Sequence, residues 1–277
     1  MSFEKYRQIV NKMVKEMPFL YLVDLYMWGE PLLNPSIAEI IRYGNAIGIA
    51  SGLSTNLNNI SQLEKALEEK PALLRVSISG LSKETYEVTH TGGRWVNVEK
   101  NLKTLSELVR RNGNKTIVEF YFHIYKHNIH EIEEARALCS NYGFRFHPAL
   151  ATVFADYALR YRLTGEIPEL ARTAADLLVR NVDDLLQECD SNNEKSCILT
   201  RCVPNVDWDG SVKACCNYAH GIITEEYLKI PLEKIVELRT ISDTCGICQE
   251  NSLHRWNFQT SYIQFVQDLI ESNQQNS

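Results

Sequence analysis

The sequence contains no apolar run long enough to span a bilayer, so no membrane-crossing helix is expected. It has no block of basic residues either. Twenty-nine Lys and Arg stand against 35 Asp and Glu, a formal net charge of −6, which excludes an electrostatic surface for nucleic acid or anionic lipid as the basis of function. The first residues, MSFEKYRQIVNKMVKEM, are amphipathic and mixed in charge, without the basic-then-apolar order of a secretory signal. A cytoplasmic protein with neither a nucleic-acid nor a membrane partner is therefore expected. There is no low-complexity tract, no repeat beyond an alternation of strands and helices, and no cysteine before Cys139.

What is present is ordinary globular material: 277 residues, 44% apolar and 23% charged, enough for one large domain and a small one. The first 150 residues alternate helix-period and strand-like segments. A helix is expected over 3–16, and the nearly continuous apolar run YLVDLYMWG (21–29) reads as a buried strand. Asn34 and Pro35 are placed to cap and open the helix SIAEIIRYGNAIG. Further strands are expected at IASGLSTN (49–56), ALLRVSISG (72–80), TIVEFYFHIY (116–125) and FRFHPAL (144–150), with helices near 60–70, 82–89, 95–112 and 129–141. Five such βα units point to an α/β barrel or a doubly wound sheet, and periodicity does not choose between them. Either architecture places ligands at the carboxyl ends of the strands, which here carry Trp28-Gly29-Glu30, Ser54-Thr55-Asn56 and Ser77-Ile78-Ser79-Gly80. Residues 153–188 read as mostly helical and attach to this first part, giving expected domains of 1–188 and 189–277. A last helix is expected in RWNFQTSYIQFVQDLI.

Seven of the eight cysteines lie between Cys189 and Cys248. Cys139, inside the helical pattern EIEEARALCSNYG, reads as a buried spectator. A cysteine-rich module of some 60 residues buries little apolar surface by itself and needs a staple. VDWDGSVKA alternates about Asp209-Gly210, the signature of a tight hairpin that returns Cys215 beside the incoming chain, and Cys245-Gly-Ile-Cys248 offers a second pair. Thiolates in that number suit tetrahedral zinc or an iron-sulfur cluster. Reflection through 209/210 places residue 204 opposite Cys215 and leaves Cys202 nearer than Cys197, so Cys202 is a reserve ligand. Cys216 points to the opposite strand face, and it and Cys189 read as spectators.

The series Cys197, Gly210, Cys215 and Cys245-x2-Cys248 resembles the C-terminal auxiliary-cluster module, SPASM or its shorter Twitch form, of the radical S-adenosylmethionine (radical SAM) superfamily. The body resembles the same superfamily: WGEPLLNPSIAEII its GGEP segment, LSTNLNNI its following strand end, and VSISGLSKETYEVTHTGGRWVNVEKNLKTL its third conserved stretch. The resemblance implies a partial (β/α) barrel lacking its first strand, followed by a small cysteine-rich hairpin and helix module. It implies an auxiliary 4Fe-4S cluster on Cys197, Cys215, Cys245 and Cys248, with Cys202 as reserve or companion. It further implies that Glu30 receives the amino group of S-adenosylmethionine beside the Gly29 backbone, that Ser54, Thr55 and Asn56 line the cofactor channel, and that Ser77 and Ser79 sit near its ribose or carboxylate. The family usually has Asp where this chain has Ser79.

The C-x3-C-x2-C loop that defines radical catalysis in that superfamily does not occur in this sequence. The resemblance therefore implies an enzyme of peptides or small molecules whose catalytic cluster ligands lie in a missing N-terminal segment or a partner chain. A non-catalytic cluster-binding relative and a zinc-stapled α/β protein are the other readings. Without a neighbour, the strand at 21–28 is an expected exposed edge, prone to self-association unless another chain covers it.

Overall fold

The computed structural model describes residues 1–191, 197, 199, 204–218 and 221–256. The first helix, α1 (Phe3–Glu16), begins where the Ser2 hydroxyl accepts the Lys5 amide at 3.3 Å. Its buried residues Tyr6, Ile9, Val10 and Met13 recur at the spacing of one helical face. That face meets α2 (Ile37–Ala46): Tyr6, Val10 and Ile40 form a cluster edged by Val23, Leu25 and Ile47. The helix starts later than Asn34 suggests, because the Asn34 side chain is spent in a turn. Its oxygen accepts the Ser36 amide at 3.0 Å and its amide donates to the Met1 carbonyl at 3.0 Å.

Five strands follow the chain in order: β1 (Leu22–Asp24), β2 (Ala50–Thr55), β3 (Leu73–Ile78), β4 (Ile117–Ile124) and β5 (Arg145–Leu150). The pairs from β1 to β4 are parallel. Because the order never reverses, every right-handed crossover turns the same way. The crossover helices α2, α3 (Leu63–Glu68), α4 (Lys83–Thr89), α5 (Trp95–Arg111) and α6 (Ile132–Tyr142) then belong to one face. That is the construction of a (β/α) barrel segment, whereas a doubly wound sheet needs a reversal.

The strands β3 and β4 separate two chemistries by simple alternation. Leu74, Val76 and Ile78, with Val118, Phe120, Phe122 and Ile124, are buried on one side. Arg75 and Ser77, with Glu119, Tyr121 and His123, occupy the other, where Arg75 pairs in register with Glu119 and Ser77 with Tyr121. The expected strand at 21–29 is reduced to three residues. Its pairing on β2 runs from Leu22↔Ala50 to Asp24↔Gly52, and a last amide bond goes from Leu25 to the Gly52 carbonyl at 2.8 Å. Beyond that point β2 is paired with β3, so the run from Tyr26 leaves the sheet.

The chain divides into two compact units, one over Met1–Ala149 and the other taking up the described residues from Leu150 on. The helices α7 (Ala155–Thr164), α8 (Glu169–Asp176) and α9 (Val182–Ser191) therefore count with the second unit. It also contains a three-stranded antiparallel sheet, β6 (Asn205–Val206), β7 (Val212–Lys213) and β8 (Ile222–Thr224), and the helices α10 (Leu232–Ile241) and α11 (Asp243–Glu250). The helix expected after Trp256 lies outside the described residues, as does Cys202.

The hairpin differs from its expected form by one residue. Asn205 pairs with Lys213 and Val206 with Val212, which centres the turn on Asp209. A three-residue loop explains the shift. The Gly210 amide closes a turn on the Asp207 carbonyl at 2.9 Å, Gly210 takes a φ of 92°, and the Asp209 carboxylate accepts the Ser211 amide at 2.9 Å. That register, continued by one residue, sets residue 204 against Ala214 rather than Cys215.

Candidate functional site

In the first unit the polar strand ends converge on Glu30. It caps the short 3-10 turn Pro31–Leu33, its Oε1 accepting the Leu32 amide at 3.1 Å. Its Oε2 accepts the Thr55 hydroxyl at 3.0 Å and the Asn56 amide at 3.1 Å, so one carboxylate ties the loop after β1 to the end of β2. Burial raises its pKa, and the three donors oppose that rise. A carboxylate offers about four lone-pair sites, which leaves one on Oε1 for a further donor. At Gly29 the added volume of a side chain would meet no atom, so the approach beside Glu30 is open.

Ser54 and Ser77 also come together, with their hydroxyl oxygens 3.3 Å apart. Ser79 is turned elsewhere: it is 2% exposed and bonded to the Thr89 hydroxyl at 2.6 Å and to His90 Nδ1 at 2.9 Å. Gly80 allows this turn, because a Cβ there would collide with the Tyr86 amide and the Thr85 hydroxyl at the start of α4. Behind it the buried Glu131 accepts the Leu81 amide at 3.0 Å and the Thr85 hydroxyl at 2.8 Å.

The polar side of β3 and β4 holds groups that the strand-end argument did not single out. Arg75 donates to Glu119 at 2.7 Å and lies 4.6 Å from the centre of the Tyr121 ring, while His147 of β5 meets the other Glu119 oxygen at 3.1 Å. Asp24 packs against Gly52, where any side chain would strike its carboxylate. Burial lowers the pKa of His90, and it drives that of His123 down to about 4. The signal for these residues was the alternation itself: polar residues two apart in LLRVSISG and in IVEFYFHI mark one sheet face.

In the second unit Cys197, Cys215, Cys245 and Cys248 line one pocket, together with Ala214, Tyr218, Thr244, Gln249 and His254. Cys245 and Cys248 sit on α11, three residues apart and so on one helical face, with Ser242 accepting the Cys245 amide at 3.2 Å. The Asn217 amide points at the Cys215 sulfur, 3.3 Å away. Burial pushes the Cys215 thiol up to about 11 and the Cys248 thiol up to about 12, so both are neutral unless a cationic group displaces their protons. The Tyr218 hydroxyl is buried in this pocket beside Cys248, its electrostatic partner.

Among the described residues no three His, Cys, Asp or Glu side chains are placed to hold a single metal ion. Bonds of about 2.3 Å to one tetrahedral zinc would require sulfurs about 3.8 Å apart. Four thiols lining one pocket are the ligand set of tetrahedral zinc or of a four-iron cluster. Of the remaining cysteines, Cys139 and Cys189 are buried and Cys216 is exposed.

The fold class is an α/β barrel segment with its polar residues at the carboxyl strand ends. Solved structures that share it include anSMEcpe with bound AdoMet, at 17% identity and a TM-score of 0.54, covering 89% of this chain and 73% of that one. SuiB of Streptococcus suis bound to S-adenosylmethionine matches at 13% identity and a TM-score of 0.54, over 90% of this chain and 61% of that one. SuiB bound to the precursor peptide SuiA matches at 14% identity and a TM-score of 0.54, over 87% of this chain and 58% of its own. At these identities the likeness is one of fold. No protein-family model and no curated protein matches the sequence. No helix among the described residues is long and apolar enough to cross a membrane.

Proposed function

We propose that the chain is a radical SAM-type iron-sulfur protein: its second unit cages an auxiliary 4Fe-4S cluster and its strand ends receive S-adenosylmethionine. The observation that carries this reading is the meeting of Cys197, Cys215, Cys245 and Cys248 around one pocket, in a chain whose fold is that of AdoMet-bound structures. Four thiols around one pocket supply the ligands of such a cluster, and the zinc-stapled reading is the alternative that the same ligand set allows. A cytosolic setting, where thiols stay reduced, suits such a cage.

Glu30 would accept the ammonium of S-adenosylmethionine at its remaining lone pair, beside the open Gly29 backbone. Ser54 and Ser77, linked to each other, and Thr55 and Asn56, held by Glu30, would line the channel that follows. Ser79 is the weakest member of the set, since its hydroxyl is already committed to Thr89 and His90. When bound, the cluster would supply one-electron chemistry or a docking point for substrate. Two of its ligands, Cys245 and Cys248, are buried and would be fixed by α11.

Cleavage of S-adenosylmethionine to a radical needs a C-x3-C-x2-C cluster site, and this sequence contains none. We assign radical generation to the complete system, with the ligands supplied by a further segment or a partner chain. A peptide is the favoured substrate class, by analogy with the precursor peptide on SuiB, whose chain is similar in fold. Anaerobic reconstitution of the full chain with iron and sulfide tests the reading. About four iron and four sulfide per chain are expected. Equimolar zinc without sulfide would instead establish the zinc-stapled alternative.

A further inference from the structure

The second unit buries one side chain that the reading above does not use. Arg239, on α10, is 1% exposed. Its Nη1 donates to the Leu199 carbonyl at 3.3 Å and its Nη2 to the Lys213 carbonyl at 3.0 Å. These two bonds reach the segment just after Cys197 and the strand just before Cys215, while α10 itself leads directly into α11 with Cys245 and Cys248. One guanidinium therefore joins the three chain segments that bring the four thiols together. Its electrostatic neighbours are the same sulfurs: Cys245, Cys215 and Cys197, with Cys216 in addition.

An arginine remains charged even when desolvated, and a buried cation is stable only where negative charge accompanies it. Burial pulls the Arg239 pKa down, and the cysteine sulfurs, as thiolates, push it back. Four thiolates around a 4Fe-4S core carry a net negative charge, which grows by one when the group is reduced. A filled cage and the buried Arg239 cation, bonded to the carbonyls two residues from Cys197 and from Cys215, are complementary in charge.

Resting on the cluster reading above, we propose that Arg239 is a positioning and potential-setting residue: its fixed buried charge favours assembly of the four-thiolate cage and raises the reduction potential of the cluster held there. The step it biases is the addition of one electron from an external reductant to the cluster, with no proton taken up and no bond broken. A positive charge at a fixed position stabilises the product of that step more than its reactant.

The test compares the reconstituted full-length wild type with Arg239→Lys and Arg239→Gln. Iron and sulfide content and circular dichroism are measured first, and each loaded protein is then titrated with titanium(III) citrate under EPR detection. With loading preserved, Arg239→Gln is expected to lower the ratio of reduced to oxidised cluster about tenfold at a fixed potential, the equivalent of about 59 mV for one electron. Arg239→Lys, which keeps the charge and loses the fork, should stay nearer the wild type. If Arg239→Gln is folded by circular dichroism but loads poorly while Arg239→Lys loads, the requirement for charge is again supported.

Equal potentials in all three proteins would overturn the proposal. Equal failure of both variants to load would overturn it too, because the hydrogen-bonded fork, and not the charge, would then be what matters. If the wild type itself takes up no iron and sulfide, the cluster reading fails before any variant is compared.

Discussion

Removing the Glu30 carboxylate should loosen the joint between the β1 loop and the end of β2 and expose how much of the candidate cofactor site depends on it. In Glu30→Ala three donors lose their acceptor: the Leu32 amide, the Thr55 hydroxyl and the Asn56 amide. Asn56 is exposed and can turn to water, whereas Leu32 is 0% and Thr55 2% exposed. Two orphaned buried donors cost about 1–3 kcal/mol each, partly offset by relief of the desolvation that raises the Glu30 pKa, for a net loss of about 2–3 kcal/mol. The loss is local, so amide hydrogen exchange reads it better than global unfolding. Protection at Leu32 and its neighbours should fall roughly 30-fold or more, since about 1.4 kcal/mol is a factor of ten. Glu30→Gln keeps one acceptor oxygen and should lose about half as much. In equilibrium dialysis the same Gln variant should bind S-adenosylmethionine about tenfold more weakly than the wild type, the worth of a charge-assisted bond. Unchanged exchange in Glu30→Ala would refute the joint, and unchanged binding in Glu30→Gln would refute the ammonium contact.

Three further outcomes follow from other parts of the chain. His123 has a folded pKa near 4 against an ordinary 6.5, so its contribution to stability is present above pH 6.5 and is lost as pH falls toward 4, by about 3 kcal/mol at most; urea midpoints across that range should show an acid limb, smaller in His123→Gln, and an identical limb in both proteins would contradict the assignment. Gly80→Ala forces a Cβ onto the Tyr86 amide and the Thr85 hydroxyl and should cost about 1–3 kcal/mol by chemical denaturation, whereas Gly29→Ala, which meets nothing, should cost under about 1 kcal/mol. Cys215→Ser and Cys248→Ser should each lower iron retention after desalting, while Cys216→Ser should keep wild-type iron; equal retention in all three would disconnect the pocket from metal binding.

How far the sequence could be read depended on whether a local rule or a distant partner set each feature. The βα alternation was legible because strand and helix periods are local, and the expected segments at 49–56, 72–80 and 116–125 differ from β2, β3 and β4 only at their ends. The length of β1 was not legible: the apolar run through Trp28 fits a strand, but pairing on β2 stops at Gly52. The hairpin register escaped because Asp-Gly serves two loop classes, and only the Gly210 φ and the Asp209 side-chain bond select the three-residue one. Cys-Gly-Ile-Cys offered a pair of thiols without fixing its local structure, and the Ser242 cap makes it helical. Of the candidate residues, Glu30, Thr55 and Asn56 were brought together as the motif order suggested, and Ser79 was not, because His90 and Thr89 claim its hydroxyl. Arg239 carried no signal at all. An arginine in LEKIVELRTI looks like helix surface until the fold buries it.

The central claim is that four cysteines of the second unit hold a polynuclear cluster. X-ray absorption at the iron and zinc edges of the anaerobically reconstituted full chain tests it most directly. The account predicts iron in an all-sulfur first shell with a second shell of iron neighbours, lost in Cys215→Ser. A zinc edge with a single sulfur shell and no metal neighbours would contradict it.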